Sequence, residues 1–233
     1  MYKRQIQSQG NSIRFGDLTT NRYTLGSGAN STRGLFCGGY QEGHSPDTDV
    51  NAIEFITIAT EGNATDFGDR IMVGRAVASA SNDTRCVMAS AFTPAGYQNI
   101  IDFVTFSTIG NAQDFGDLTA AAASTPAGTA GNGTRGLIGL GYVAPARTNR
   151  IDFCTIATTG NAADFGDLTA IGQNYGSCSN STRGVFLGRN DPKTNIIDFV
   201  TIATTGDAAD FGDVSVTESA LGAAGSDSHG GLS

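Results

Sequence analysis

The chain has 233 residues, a formal net charge of −8, 39% hydrophobic residues, 32 Gly, four Cys, two His and no Trp. Its acidity, with no basic cluster richer than Lys3-Arg4, disfavours nucleic acid and anionic membrane as partners, since phosphate binding needs a basic stripe. No apolar run reaches 18 residues, so no membrane-inserted helix is expected; Met1 is expected to lead directly into a strand, with no cleavable leader expected.

The opening segment, residues 1–17, ends in Phe15-Gly16-Asp17. That tripeptide returns at Phe67–Asp69, Phe115–Asp117, Phe165–Asp167 and Phe211–Asp213, at steps of 52, 48, 50 and 46 residues. Five copies leave almost no chain outside the repeat. A period near 50 belongs to propeller blades, because helical repeats run shorter and show a 3.6-residue apolar period.

Within each repeat the same elements follow in order. A run of small residues comes first, as in Ala76–Ser81 and Gly176–Ser179, which suits the crowded inner part of a ring. Next is a strand started by Thr32-Arg33-Gly34, Thr84-Arg85-Cys86, Thr134-Arg135-Gly136 or Thr182-Arg183-Gly184. A third strand begins at Asn51, Asn99, Asn149 or Asn195 and reads Asn-x-Ile-Asp/Glu-Phe-x-Thr. It is dense in β-branched and aromatic residues and closes on a Gly-Asn or Gly-Asp turn. Phe-Gly-Asp forms the fourth. Both faces of the third strand are largely apolar or Thr, as in a sheet packed on both sides.

Four strands per repeat is the unit of a propeller blade. The expected fold is therefore all-β: a single five-bladed β-propeller of four-stranded antiparallel blades. The repeats fall at roughly 18–69, 70–117, 118–167 and 168–213. A split blade made of 214–233 plus 1–17 closes the ring, since 1–17 aligns without a gap onto 101–117 and Ser228-His229-Gly230 stands in for Thr-Arg-Gly. Nine of the 13 Phe occupy the two repeated Phe positions, which assigns most aromatic mass to packing between blades.

The repeated ions are expected to serve structure. Asp17, Asp69, Asp117, Asp167 and Asp213 recur together with Arg33, Arg85, Arg135 and Arg183, and inter-blade ion pairs account for both sets in one arrangement. An anion site around a central channel is the competing use of the arginines. Paired carboxylates such as Asp66 and Asp69 fall short of the ligand number calcium takes, so no metal and no cofactor is expected. Cys37, Cys86, Cys154 and Cys178 sit at four different repeat positions without Cys-x-x-Cys spacing, and read as free thiols of a reducing compartment. The Asn-x-Thr triplets at Asn30, Asn63, Asn82, Asn132 and Asn180 are read as turn residues. No nucleophile, base and orienter can be assembled from two histidines and identical repeats, so no enzyme is expected.

Variation concentrates between the second and third strands, where each loop carries one proline: Pro46, Pro94, Pro145 and Pro192. Pro-stiffened loops on one rim of a rigid scaffold are where binding resides. The candidate partner contacts are Tyr40, His44, Tyr97, Tyr142, Arg147 and Lys193. Tolerant hairpin tips are the alternative reading.

The organisation resembles kelch-type propellers: a period near 50, Gly38-Gly39-Tyr40 after an apolar strand, then the Asn-x-Ile-Glu/Asp-Phe strand. The double glycine is intact only in the first copy, and the characteristic Trp is replaced by Phe-Gly-Asp. The string Ile-Asp-Phe-Val-Thr-Ile-Ala-Thr-Thr-Gly, continued by Asp-Phe-Gly-Asp, is also similar to repeats in structural proteins of tailed, notably marine, bacteriophages. That resemblance covers the whole chain. It implies a virion protein assembled in the host cytoplasm, other virion proteins as partners, and contact with a host-surface glycan through the rim. A carbohydrate-binding propeller lectin acting off the particle is the alternative.

Overall fold

The computed structural model describes residues 1–3, 11–41, 43, 48–123, 129–190 and 192–215. No helix occurs among them. Four consecutive antiparallel sheets each follow the expected order of small-residue, Arg-Gly, Asn-x-Ile and Phe-Gly-Asp strands. The first blade comprises Gly26–Ala29, Arg33–Cys37, Ala52–Thr57 and Thr65–Asp69. The second comprises Ala78–Ser81, Arg85–Thr93, Gly96–Thr105 and Gln113–Ala123, and departs from the expected four strands because the short strands Tyr142–Val143 and Ala146–Arg147 extend its last edge into a six-stranded sheet. The third comprises Thr129–Gly131, Arg135–Gly139, Arg150–Thr155 and Ala163–Asp167. The fourth comprises Gly176–Ser179, Arg183–Arg189, Thr194–Thr201 and Ala209–Asp213.

The Phe-Gly-Asp motif makes the same β-bulge in every blade. Ile101 faces Gly116 while Asp102 faces Asp114, which leaves Phe115 as the extra residue; Phe67, Phe165 and Phe211 occupy the same place. The following glycine takes φ of +141° to +144° in all four blades, a backbone state costly for any side chain. The bulged Phe turns edge-on to the Phe of the neighbouring strand, at centroid distances of 5.8–5.9 Å.

The core lies between blades. One cluster joins Leu35, Ile53 and Phe67 of the first blade to Met88, Val104 and Phe106 of the second. Equivalent clusters join the second to the third and the third to the fourth. Inner strands approach closely enough to require small residues: a Cβ on Gly28 would stand 2.5 Å from Cys86 Sγ, and one on Gly136 2.6 Å from Ala80 Cβ. Serines stitch these strands together. Ser79 Oγ donates to the Ser27 carbonyl and accepts from its N–H, and Ser179 does the same to Gly131.

All four cysteines are free thiols, and Cys37, Cys86 and Cys154 are buried in these clusters. Burial pushes the Cys154 thiol up to about 11. Cys86 is pushed well above its ordinary value, first by its hydrogen bond to Cys37 and then by burial.

Two short strands of the opening segment, Tyr2–Lys3 and Ile13–Arg14, pair antiparallel. Tyr2 faces Arg14 and Lys3 faces Ile13, the register of Asp102 with Asp114 and Phe103 with Gln113 displaced by one hundred positions. Of the closing segment expected at 214–233, residues 216–233, with His229, lie outside the described residues.

Candidate functional site

Each junction between blades is closed by the same latch. The Phe-Gly-Asp edge of one blade receives the turn between the third and fourth strands of the next. Gly160 N–H donates to the Phe115 carbonyl at 2.7 Å, Ala162 N–H to the Asp117 carbonyl at 2.8 Å, and Asp117 N–H to Asn161 Oδ1 at 3.0 Å. The set repeats with Asn63 on Asp17, Asn111 on Asp69, and Asp207 on Asp167, each at 3.0 Å. The motif glycine lies against the incoming backbone: a Cβ on Gly116 would meet Gly160 O at 2.5 Å.

The arginines do not pair with these aspartates, which corrects the expected ion-pair ring. Arg85 Nη1 donates to the Ala157 carbonyl at 2.8 Å, Arg135 Nη1 to the Ile202 and Ala203 carbonyls at 3.0 and 2.9 Å, and Arg33 Nη1 to the Phe106 carbonyl. Each guanidinium also covers the third-strand Phe of its own blade, at 4.8 Å for Phe55, 4.6 Å for Phe103 and 4.8 Å for Phe153. A guanidinium stacked on a ring keeps its donors in plane for carbonyls. The Asp amides are taken by the side chains of Asn63, Asn111, Asn161 and Asp207, and the Asp17 carboxylate pairs with its neighbour Arg14. Asn30, Asn82, Asn132 and Asn180 cap the turn before each arginine through Oδ1.

The buried acids are different residues, those of the third strand. Arg70 grips Asp102 through Nε and Nη2 at 2.9–3.2 Å, and both side chains are fully buried. Glu54 takes Thr19 and Arg22, Asp152 takes Thr119, and Asp198 takes Thr169 and Arg189. Every one holds the linker that leaves the preceding Phe-Gly-Asp. Burial raises the Asp152 carboxyl above the usual range, with the Thr119 hydroxyl and N–H working against it.

The edge opposite the arginines carries the surface with chemistry to spare. The residue six positions beyond each motif aspartate pairs with the residue seven beyond each repeat arginine: Tyr23 with Tyr40, Arg75 with Phe92, Ala123 with Tyr142, and Gln173 with Asn190. On the first three blades this row is aromatic. Tyr23 lies 5.4 Å from Tyr40, Phe92 5.2 Å from Tyr97, and Tyr97 5.1 Å from Tyr142. Arg75 joins the two groups, 4.6 Å from the Tyr40 ring and 4.7 Å from Phe92. Its other partner is Asp49, at 3.4 Å, whose carboxyl is raised by burial and lowered by Arg75.

Tyr40, Tyr97 and Tyr142, singled out from the sequence, thus lie on one ridge, and Arg147 stands across the hairpin from Tyr142. Lys193 is exposed on the fourth blade, where the row turns polar, and no ring contact brings it to the ridge among the described residues. His44 lies outside the described residues. Tyr23, Arg75, Phe92 and Asp49 were not anticipated. Aligning the repeats on the arginine rather than on Phe-Gly-Asp would have put Tyr40, Phe92 and Tyr142 in one column.

No protein-family model and no curated protein matches the chain. Among solved structures it is similar to one titled "Structure of YjhT", with a TM-score of 0.68 and 9% identity over 88% of this chain and 74% of that chain. At that identity the likeness speaks to fold alone, and the fold is all-β and propeller-like.

Proposed function

We propose that the chain is a non-enzymatic structural or decoration protein of a bacteriophage virion, assembled in the host cytoplasm, which attaches to a host surface through the aromatic ridge. Its scaffold in this reading is a kelch-like five-bladed ring, with 214–233 and 1–17 completing the last blade. The observation that carries the attachment reading is the ridge itself. Four tyrosines, a phenylalanine and an arginine gather on one rim of three blades, in excess of what the latches and inter-blade cores require. Tyr and Arg are the residues that dominate binding hot spots. The virion assignment rests on the likeness of the repeat string to phage structural proteins.

The test has two arms. Mass spectrometry of purified particles finds the protein in stoichiometric amount, and isolated protein competes with particles for adsorption to host cells. Tyr97→Ala and Arg75→Ala each weaken that competition by roughly ten- to hundredfold, the range of a truncated hot spot. Particles without the protein remove the virion assignment, and competition unaffected by both variants removes the ridge. The lectin alternative draws on the same tyrosines, whose rings can stack against a pyranose; a glycan array with no hit removes it.

A further inference from the structure

The latch repeats at four junctions, and among the described residues each half of it is left unfilled at one end of the array. At the far end, Phe211 is 56% exposed, whereas Phe67, Phe115 and Phe165 are buried. Gly212 has the same φ of +141° as Gly68 and Gly166, yet a Cβ there would meet nothing within 4 Å. Arg183 covers Phe199 at 4.7 Å but has none of the carbonyl partners of Arg33, Arg85 and Arg135 among the described residues. At the near end, Phe15-Gly16-Asp17 is latched to the first blade, and Asn11 and Ser12, just before the Ile13–Arg14 strand, are exposed. The shared register puts Asn11 where Asn111 stands and Ser12 where Ala112 stands.

We propose that the open Phe211–Asp213 edge is the docking site for the Asn11-Ser12 segment of the same chain. Asp213 N–H donates to Asn11 Oδ1, and Ser12 N–H donates to the Asp213 carbonyl, as at the four internal junctions. This rests on the five-bladed reading and adds the atoms that close it. An array whose two ends are complementary halves of one interface either closes on itself or chains copies head to tail. Linkage within one polypeptide supplies an effective concentration on the order of millimolar, which favours self-closure at the micromolar concentrations of an assay.

Hydrogen exchange of the intact chain tests this directly. The Asp213 amide is expected to exchange as slowly as the Asp69 and Asp117 amides, independently of protein concentration. Asn11→Ala speeds Asp213 roughly tenfold, as losing a hydrogen bond of about 1.4 kcal/mol does, and leaves Asp117 unchanged. An Asp213 amide as fast as an unstructured one overturns the proposal. Protection that appears only as concentration rises, together with faster sedimentation, also overturns it and makes a second copy the occupant. A spin-label distance from Ser12 to Ser215 in a Cys178→Ser background separates this failure from that of the ring. A distance as short as across the internal Asn111–Asp69 junction, with Asp213 unprotected, removes the latch and leaves the five blades. A long distance removes both.

Discussion

Gly116→Ala isolates what the Phe-Gly-Asp motif is for. Two costs are expected. The first is backbone: φ is +144°, a region that any Cβ makes unfavourable. The second is the junction: the new Cβ would lie 2.5 Å from Gly160 O, 2.6 Å from its carbonyl carbon and 2.8 Å from Asn161 N. All three are backbone atoms and cannot swing aside, so the junction must open and lose its three hydrogen bonds. At about 1 kcal/mol net each, that is ~3 kcal/mol. Gly160→Ala is the matched control. It stands on the other side of the same latch with a positive φ of +156°, and its Cβ would meet nothing within 4 Å. It carries the backbone cost without the collision. Gly116→Ala is therefore expected to melt lower than Gly160→Ala by roughly 6–12 °C, taking 2–4 °C per kcal/mol for a chain of this size. Urea denaturation of both variants at one protein concentration measures the same difference as free energy. Two variants equal within about 0.5 kcal/mol would show that the edge does not bear on the next blade.

Arg70→Met leaves the buried Asp102 carboxyl without its bidentate partner, and is expected to cost about 3–5 kcal/mol by denaturant titration; adding Asp102→Leu recovers most of the loss. The raised carboxyls of Asp152 and Asp49 bind protons more tightly folded than unfolded, so their contribution to stability is full below the ordinary carboxylate range and lost as pH rises through the raised values. Melting across mildly acidic pH shows that decline with rising pH, and Asp152→Asn reduces it; an unchanged pH slope in the variant refutes the assignment. Alkylation of the native protein at neutral pH labels Cys178 first and leaves Cys86 and Cys154 unmodified until unfolding, as peptide mapping checks, because the buried thiols are held protonated.

How much of this was legible in the sequence depends on whether a residue's role is local or lies across a junction. The strands were legible because the β-branched and aromatic runs, the Gly-Asn turns and the repeat itself all act within one blade. Tyr40, Tyr97 and Tyr142 were legible because proline-bearing loops of a repeat array fall on one rim. The arginine and the motif aspartate were paired wrongly for an equally physical reason. Recurrence in step shows that two residues serve the same unit, but it does not show which neighbour each one faces. The strand from Arg33 to Cys37 starts at one edge of the blade, whereas the bulge sends the Asp69 amide outward onto the next blade's turn. The arginine takes the carbonyls that a neighbouring blade presents, whereas the aspartate makes the latch with its own backbone N–H and carbonyl rather than with its charge. The acid that does meet a cation was hidden in the Asn-x-Ile-Asp-Phe strand, where it reads as one polar residue among apolar ones. Its cation is not a repeat residue at all: Arg70 precedes the second blade, Arg22 the first, and Arg189 lies within the fourth. In the third blade Thr119 alone binds the acid closely, with Arg150 at 3.9 Å. What persists from blade to blade is a buried carboxylate holding the incoming linker: the residue two beyond the motif aspartate gives it a backbone N–H every time, from Thr19, Ile71, Thr119 and Thr169. A repeat thus fixes the acid and its linker donor by sequence while leaving the cation to geometry, and only coordinates reveal that last pairing.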